Sequence, residues 1–141
     1  MEKMVDSAVI EGKLEVKNLC FTESTVRRKP TDDAQFEIKY TFGVVFNVID
    51  EKSQQVVLQV TAADDDSRLS VSVTLQADVE LVNAGLLEEE VRKQILDVNS
   101  VAILLPYLRS QVVLITAQPG LVPLQLPVVD ANILVENAVR N

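Results

Sequence analysis

Apolar side chains fall on every second position of residues 36–49: Phe36, Ile38, Tyr40, Phe42, Val44, Phe46 and Val48 share one parity, against Glu37, Lys39, Thr41 and Asn47 on the other. Successive side chains of an extended chain point to opposite faces, so this spacing predicts a long strand with one apolar and one polar face. A polar break at residues 50–53 separates it from Val56, Leu58, Val60 and Ala62, which alternate with Gln55, Gln59 and Thr61 and predict the return arm of a hairpin. Beyond Asp64, Asp65, Asp66 and Ser67, the set Leu69, Val71, Val73 and Leu75 alternates with Ser70, Ser72, Thr74 and Gln76, which adds a third strand to a meander. Upstream, Leu14 and Val16 share one parity while Leu19 and Phe21 share the other. That one-residue phase change predicts a β-bulge near Lys17 and Asn18 in the first strand.

The sheet portion closes at Asn83, Ala84 and Gly85, and Glu88, Glu89 and Glu90 then place negative charge where a helix N-terminus favours it. A helix is predicted over residues 87–118. Its first part is amphipathic, with Val91, Ile95, Val98 and Ala102 on one face, but from 101 to 117 apolar residues occupy nearly every side. Such a stretch is either a membrane span or a helix buried between its own sheet and a second subunit. Arg109 sits in its middle, and a central arginine in hydrocarbon costs at least about 2.5–3.5 kcal/mol. Burial in an oligomer is therefore expected rather than membrane insertion, with Val101, Leu104, Leu105, Leu108, Val112 and Ile115 at the seam between copies. Pro106 lacks the N–H a helix interior needs, so a kink or break is expected there. Residues 121–129 carry Pro123 and Pro127 and read as an extended crossover, and Asp130 is the expected N-cap of a short helix to about residue 140. Strands first and helices after define an α+β domain over residues 1–141, with the first seven residues as a flexible N-terminus.

The chain has 141 residues, enough for one core, and is 48% hydrophobic but only 4% aromatic, so that core is aliphatic. The net charge of −8 opposes binding to a phosphate backbone, and no nucleic-acid partner is expected. With one cysteine and no histidine there is no intrachain disulfide, no imidazole base and no zinc site of the usual kind. The glycine patterns that cradle phosphates are absent too. The chain is thus expected to be no enzyme and to need no metal or other cofactor. The lone cysteine and the lack of an apolar segment at the N-terminus point to the reducing cytoplasm. Asp64, Asp65 and Asp66 lack the spacing of a calcium loop and read as a hairpin tip, Arg27, Arg28, Lys29 and Pro30 read as a solvated loop, and Cys20 is expected to be a small buried thiol. Four of the six aromatic residues stand on one parity of one strand: Phe36, Tyr40, Phe42 and Phe46. They are either ordinary sheet core or the wall of a groove for apolar ligands, which a polypeptide would suit.

Leu105-Pro106-Tyr107-Leu108-Arg109 resembles the Phe/Leu-Pro-Tyr-x-Arg segment in the long helix of the SecB protein-export chaperones. The run from Val122 to Asp130, Val-Pro-Leu-Gln-Leu-Pro-Val-Val-Asp, is similar to that family's proline-rich crossover, and residues 16–21 resemble its first strand. The resemblance covers about residues 13–137 in the same element order. It implies a four-stranded antiparallel meander with a long kinked helix and a short C-terminal helix on one face, assembled through the long helix as a dimer or dimer of dimers. It also implies an ATP-independent chaperone that holds unfolded client polypeptides, preproteins or one dedicated client, in apolar grooves. Carried onto this sequence, the peptide-binding positions are Ile38, Tyr40 and Phe42 in the second strand and Leu121, Val122, Leu124 and Leu126 in the crossover. Docking on the SecA export motor is implied as well, but Val73 stands about where the family carries an acidic contact for SecA, and Asn18 replaces another acid. Two other functions fit the same pattern: a structural or assembly subunit whose helix seam is purely an interface, and a carrier of small apolar ligands around an enclosed cavity.

Overall fold

A computed structural model describes residues 13–30, 36–83, 85 and 87–141; the expected flexible segment at residues 1–7 lies outside them. In chain order the elements are β1 (Lys13–Arg28), β2 (Lys39–Val48), β3 (Ser53–Ala63), β4 (Leu69–Val82), a helix α1 spanning Glu89–Thr116, a short helix α2 (Ala131–Glu136) and β5 (Val139–Arg140). The sheet is mixed and five-stranded, in the order β1-β4-β3-β2-β5. This corrects the expected four-stranded antiparallel meander in two ways. Only β2, β3 and β4 form a meander, with β1 antiparallel to β4 at the far edge, and β5 adds a parallel pair to β2 through Val45 and Val139.

Register decides which side chains are covered. Phe42 lies opposite Val60 and Leu58 opposite Leu75, so even positions of β2 and β3 and odd positions of β4 share the face under the helices. Phe46, Val56, Leu58, Val60, Leu69, Val71, Val73 and Leu75 are there at 1% exposure or less. Each such side chain removed from water stabilises the fold by roughly 1.5–3 kcal/mol. The other face carries Thr41, Gln59, Thr61, Ser72 and Thr74 and stays polar.

In β1 the pairing slips between Lys17 and Cys20, and Asn18 adopts φ 54°, a left-handed conformation that Asn tolerates better than most residues. The bulge lies where the phase change puts it. It sets Phe21 opposite Leu75 on the same face as Leu14 and Val16, and turns Cys20, opposite Gln76, to solvent. Cys20 is thus exposed rather than a core thiol. At the β3–β4 tip, buried Asp64 accepts hydrogen bonds from the Leu69 N–H (3.0 Å) and Arg68 Nε (2.8 Å). Desolvation is the largest single influence on its carboxyl and acts upward, but these bonds together outweigh it and hold the pKa below the usual value.

Helix α1 is long and apolar enough, by those two measures alone, to cross a membrane. One face, however, belongs to the chain's own core: Val101, Leu104, Leu108 and Val112 are fully buried. Of the kink or break expected at Pro106, the break does not occur: the helix runs on through it. The carbonyl that proline leaves without a partner is that of exposed Ala102, one turn back, where water can reach. The irregularity lies earlier, in a π-helical stretch at Ile95–Asn99 that buries Asp97. There Gln54 Nε2 donates to the Leu96 carbonyl (2.9 Å) and to Asp97 Oδ1 (3.0 Å), and Arg140 of β5 pairs with the same carboxylate. The Arg140 guanidinium lies 4.8 Å from the Phe46 ring centroid, so one residue ties the C-terminal strand to both the helix and the sheet.

Candidate functional site

Along the covered parity of β2, burial falls off towards the strand's start. Val44 and Phe46 are under the helix layer, while Phe42, Tyr40 and Ile38 are only partly buried. The alternation that makes the strand thus carries an aromatic row out from beneath the cover. Burial raises the Tyr40 pKa above its ordinary value.

The crossover after α1 lies beside this row and is tethered through its backbone. Thr116 Oγ1 accepts from the Leu124 N–H (2.9 Å), Tyr40 Oη donates to the Gln125 carbonyl (3.3 Å), and Arg109 Nη1 donates to the Leu126 carbonyl (2.8 Å). Prolines at 123 and 127 have no N–H to give, so side chains rather than a sheet ladder hold the segment. Of the crossover residues assigned to peptide binding, Leu121 and Leu124 are half-buried against the core, Leu126 is 5% exposed and inside it, and Val122 is 78% exposed. Ile38, Tyr40, Phe42, Leu121 and Leu124 are thus all partly buried against the one core that holds Leu126, Tyr40 is tied to the crossover through the Gln125 carbonyl, and Val122 is turned to solvent. Arg109 and Thr116, the tethers, carried no assigned site role in the sequence; Arg109 stood there only within the Pro-Tyr-x-Arg segment.

The apolar residues of α1 divide differently from the expected seam. Val101, Leu104, Leu108 and Val112 are fully buried and Leu105 nearly so, all in the chain's own core, and Ile115 is half-buried. Beyond the π-helical stretch, the exposed large apolar side chains of α1 are Ile103, Tyr107 and Leu114, at i, i+4 and i+11 on the opposite face; Tyr107 is 50% and Leu114 68% exposed. Val73, the position matched to a SecA contact, is likewise core.

Ahead of the β2 row, two cations lie over an aromatic ring. Phe36 has Arg28 at 5.7 Å and Arg68 at 5.1 Å from its centroid, and Arg28 Nη1 also donates to the Gly120 carbonyl where the crossover begins. Gly120 has φ 75°, and a Cβ there would stand 3.1 Å from that guanidinium nitrogen. The nitrogen is the far end of a flexible chain and can move; the backbone conformation cannot be kept cheaply by an L side chain. Gly120→Ala is expected to lower stability by about 1–2 kcal/mol in denaturant unfolding. An unchanged midpoint would show that the turn relaxes without cost.

No family model and no curated protein sequence matches the chain. Among solved structures the architecture is SecB-like. The SecB-like chaperone Rv1957 of Mycobacterium tuberculosis, in complex with a ChAD peptide from the Rv1956 HigA1 antitoxin, matches with a TM-score of 0.63 at 13% identity, over 83% of this chain and 90% of that one. At that identity the likeness shows the fold alone. A protein of unknown function from Streptococcus agalactiae matches at a TM-score of 0.49 and 12% identity, over 83% of this chain and 98% of that one.

Proposed function

We propose that this chain is a protomer of an ATP-independent chaperone that holds non-native polypeptides, with no catalytic activity of its own. The observation that carries the reading is the half-buried row Ile38, Tyr40 and Phe42 beside a crossover held by three side-chain-to-backbone hydrogen bonds. Apolar client side chains would pack on the aromatic row, and the backbone tethers would keep the trough in shape while its occupant changes. The peptide-bound SecB-like neighbour supports a polypeptide ligand for such a fold.

The exposed row Ile103, Tyr107 and Leu114 supports assembly of protomers through α1, as a dimer or dimer of dimers, which would let one client occupy several troughs and gain affinity by linkage. The lone thiol and acidic surface suit the cytoplasm. Docking on SecA forms no part of the proposal, since Val73 is buried and Asn18 is occupied by Asp78; a dedicated client fits better. A carrier of small apolar ligands is the weaker reading, because the cavity of about 300 Å³ near Gln54 places the charged residues Glu89, Arg92, Asp97 and Arg140 in its lining.

The test is a pair of measurements on Tyr40→Ala combined with Leu124→Ala: thermal midpoint, and affinity for a permanently unfolded, carboxymethylated protein. Client affinity is expected to fall by about 2–4 kcal/mol if both act as anchors. The midpoint should drop only modestly and the oligomer persist. A collapsed midpoint with no separable binding defect would make the row ordinary core, and a wild type that fails to suppress client aggregation would favour a purely structural subunit.

A further inference from the structure

The outer edge of β2 is paired over only part of its length. The Phe46 carbonyl accepts from the Asn141 N–H (2.9 Å) and the Val48 N–H donates to the Asn141 carbonyl (3.1 Å), so the main-chain groups of even-numbered β2 residues point outward, away from β3. Main-chain groups alternate sides along a strand, which sends those of Tyr40 and Phe42 to the same edge. β5 reaches back only to Val45, opposite Val139. The crossover meets Tyr40 at its phenol, through the Gln125 carbonyl. Among the described residues no backbone hydrogen bond reaches Tyr40 or Phe42 on that outer side.

Natural sheets blunt a free edge with charge, proline, a bulge or a cover. Residues 40–44, Tyr-Thr-Phe-Gly-Val, carry no charge and no proline, and their pairing with β3 runs without a slip. Gly43 stands among them, and a Cβ there would meet nothing within 4 Å. Glycine weakens a strand, and its usual reasons for standing in one are a bulge, a bend or the close approach of another backbone. With the register unbroken, close approach fits best. β5 shows how a passing segment uses this edge, lying on it in parallel through Val139 and Arg140. We propose that the edge at residues 40–44 takes an extended segment of the client as an added strand, bonded to the main chain of Tyr40 and Phe42. The inference rests on the trough reading and deepens it. Every second client side chain would fall on the face of the row Ile38, Tyr40 and Phe42, while the main-chain bonds require an extended backbone with no proline at the pairing positions. A client would be recognised by strand-forming sequence with one apolar face, not by any single residue.

Residue-resolved hydrogen exchange and peptide calorimetry on the full chain test it. In the free protein the Tyr40 and Phe42 amides are expected to exchange fast, and those of Thr41 and Gly43, which face β3, slowly. Saturation with a synthetic peptide that alternates leucine with glutamine should protect Tyr40 and Phe42. Two versions of that peptide, N-methylated on one parity or on the other, separate main-chain pairing from side-chain packing, because an added strand offers only alternate N–H groups to the edge. One version should bind about tenfold more weakly, as the loss of one or two hydrogen bonds gives, and the other nearly as well as the parent. Binding without protection of Tyr40 and Phe42, or equal affinities of the two methylated peptides, would overturn the edge and leave the trough standing. Protection already present in the free protein overturns it as well, since a second copy or another part of the chain then covers the edge. If the unmethylated peptide does not bind at all, trough and edge fall together.

Discussion

Leu108→Ala is expected to destabilise the fold by about 2–5 kcal/mol, whereas Tyr107→Asp combined with Leu114→Asp should leave the protomer nearly as stable but dissociate the proposed assembly. Leu108 has no exposed surface and lies beside Leu104 and Val112 in the core, so truncation removes its contacts and leaves a hole that a helix anchored by buried residues from Ser100 to Thr116 cannot close. Tyr107 is one residue, about 100°, further round the helix and half exposed. A loss below about 1 kcal/mol for Leu108→Ala, an ordinary surface effect, would contradict the packing of α1. Light scattering of wild type and the double variant reads the other half. A wild-type monomer at micromolar concentration, or a variant that still assembles, would remove α1 as the seam.

Arg140→Ala is expected to cost about 2–3 kcal/mol, at or below the low end for breaking a buried ion pair because the arginine side chain is 38% exposed and partly screened. The loss comes chiefly from what stays behind. Asp97 would remain buried in the π-helical turn with Gln54 as its remaining hydrogen-bond donor among the described residues. Adding Asp97→Asn should recover part of it, since the amide oxygen can still accept from Gln54 and carries no charge to bury. Denaturant unfolding of the two single variants and the double closes the cycle, and strictly additive losses would mean that the pair is not coupled.

Much of the sheet could be read from parity. β2, β3 and β4 each keep one apolar face for their whole length, and the phase change in β1 located the bulge because a strand can restore its apolar face only by inserting a residue. β5 could not be read, since two residues have no period and Val139 pairs only because the turn after α2 brings it to the β2 edge. Cys20 was misjudged for a related reason: the bulge that returns Phe21 to the core also reverses the residue before it. In α1 an all-round apolar composition says that two surfaces are needed and is silent on which face meets the sheet, so Leu104 and Leu108 could not be told from Tyr107 and Leu114. The proposed trough was half legible. Its β2 wall follows from alternation, while the crossover has no regular spacing around its prolines, and the contrast between buried Leu126 and exposed Val122 depends on tethers from Arg109 and Thr116.

The strand order has a consequence for how the chain comes to be folded. β1 leaves the ribosome first, yet its neighbour in the sheet is β4, whose nearest paired residue, Leu69 opposite Arg28, is 41 positions later in the sequence. Until β4 has been synthesised, Leu14, Val16, Leu19 and Phe21 have no strand to lie against, while β2 and β3 can already close their local hairpin. Pairing over so long a separation must offset its loop-closure entropy before any contact rewards it, so docking of β1 is a late, slow event. For as long as it is pending, a protein proposed to shelter the apolar segments of others presents such a segment of its own.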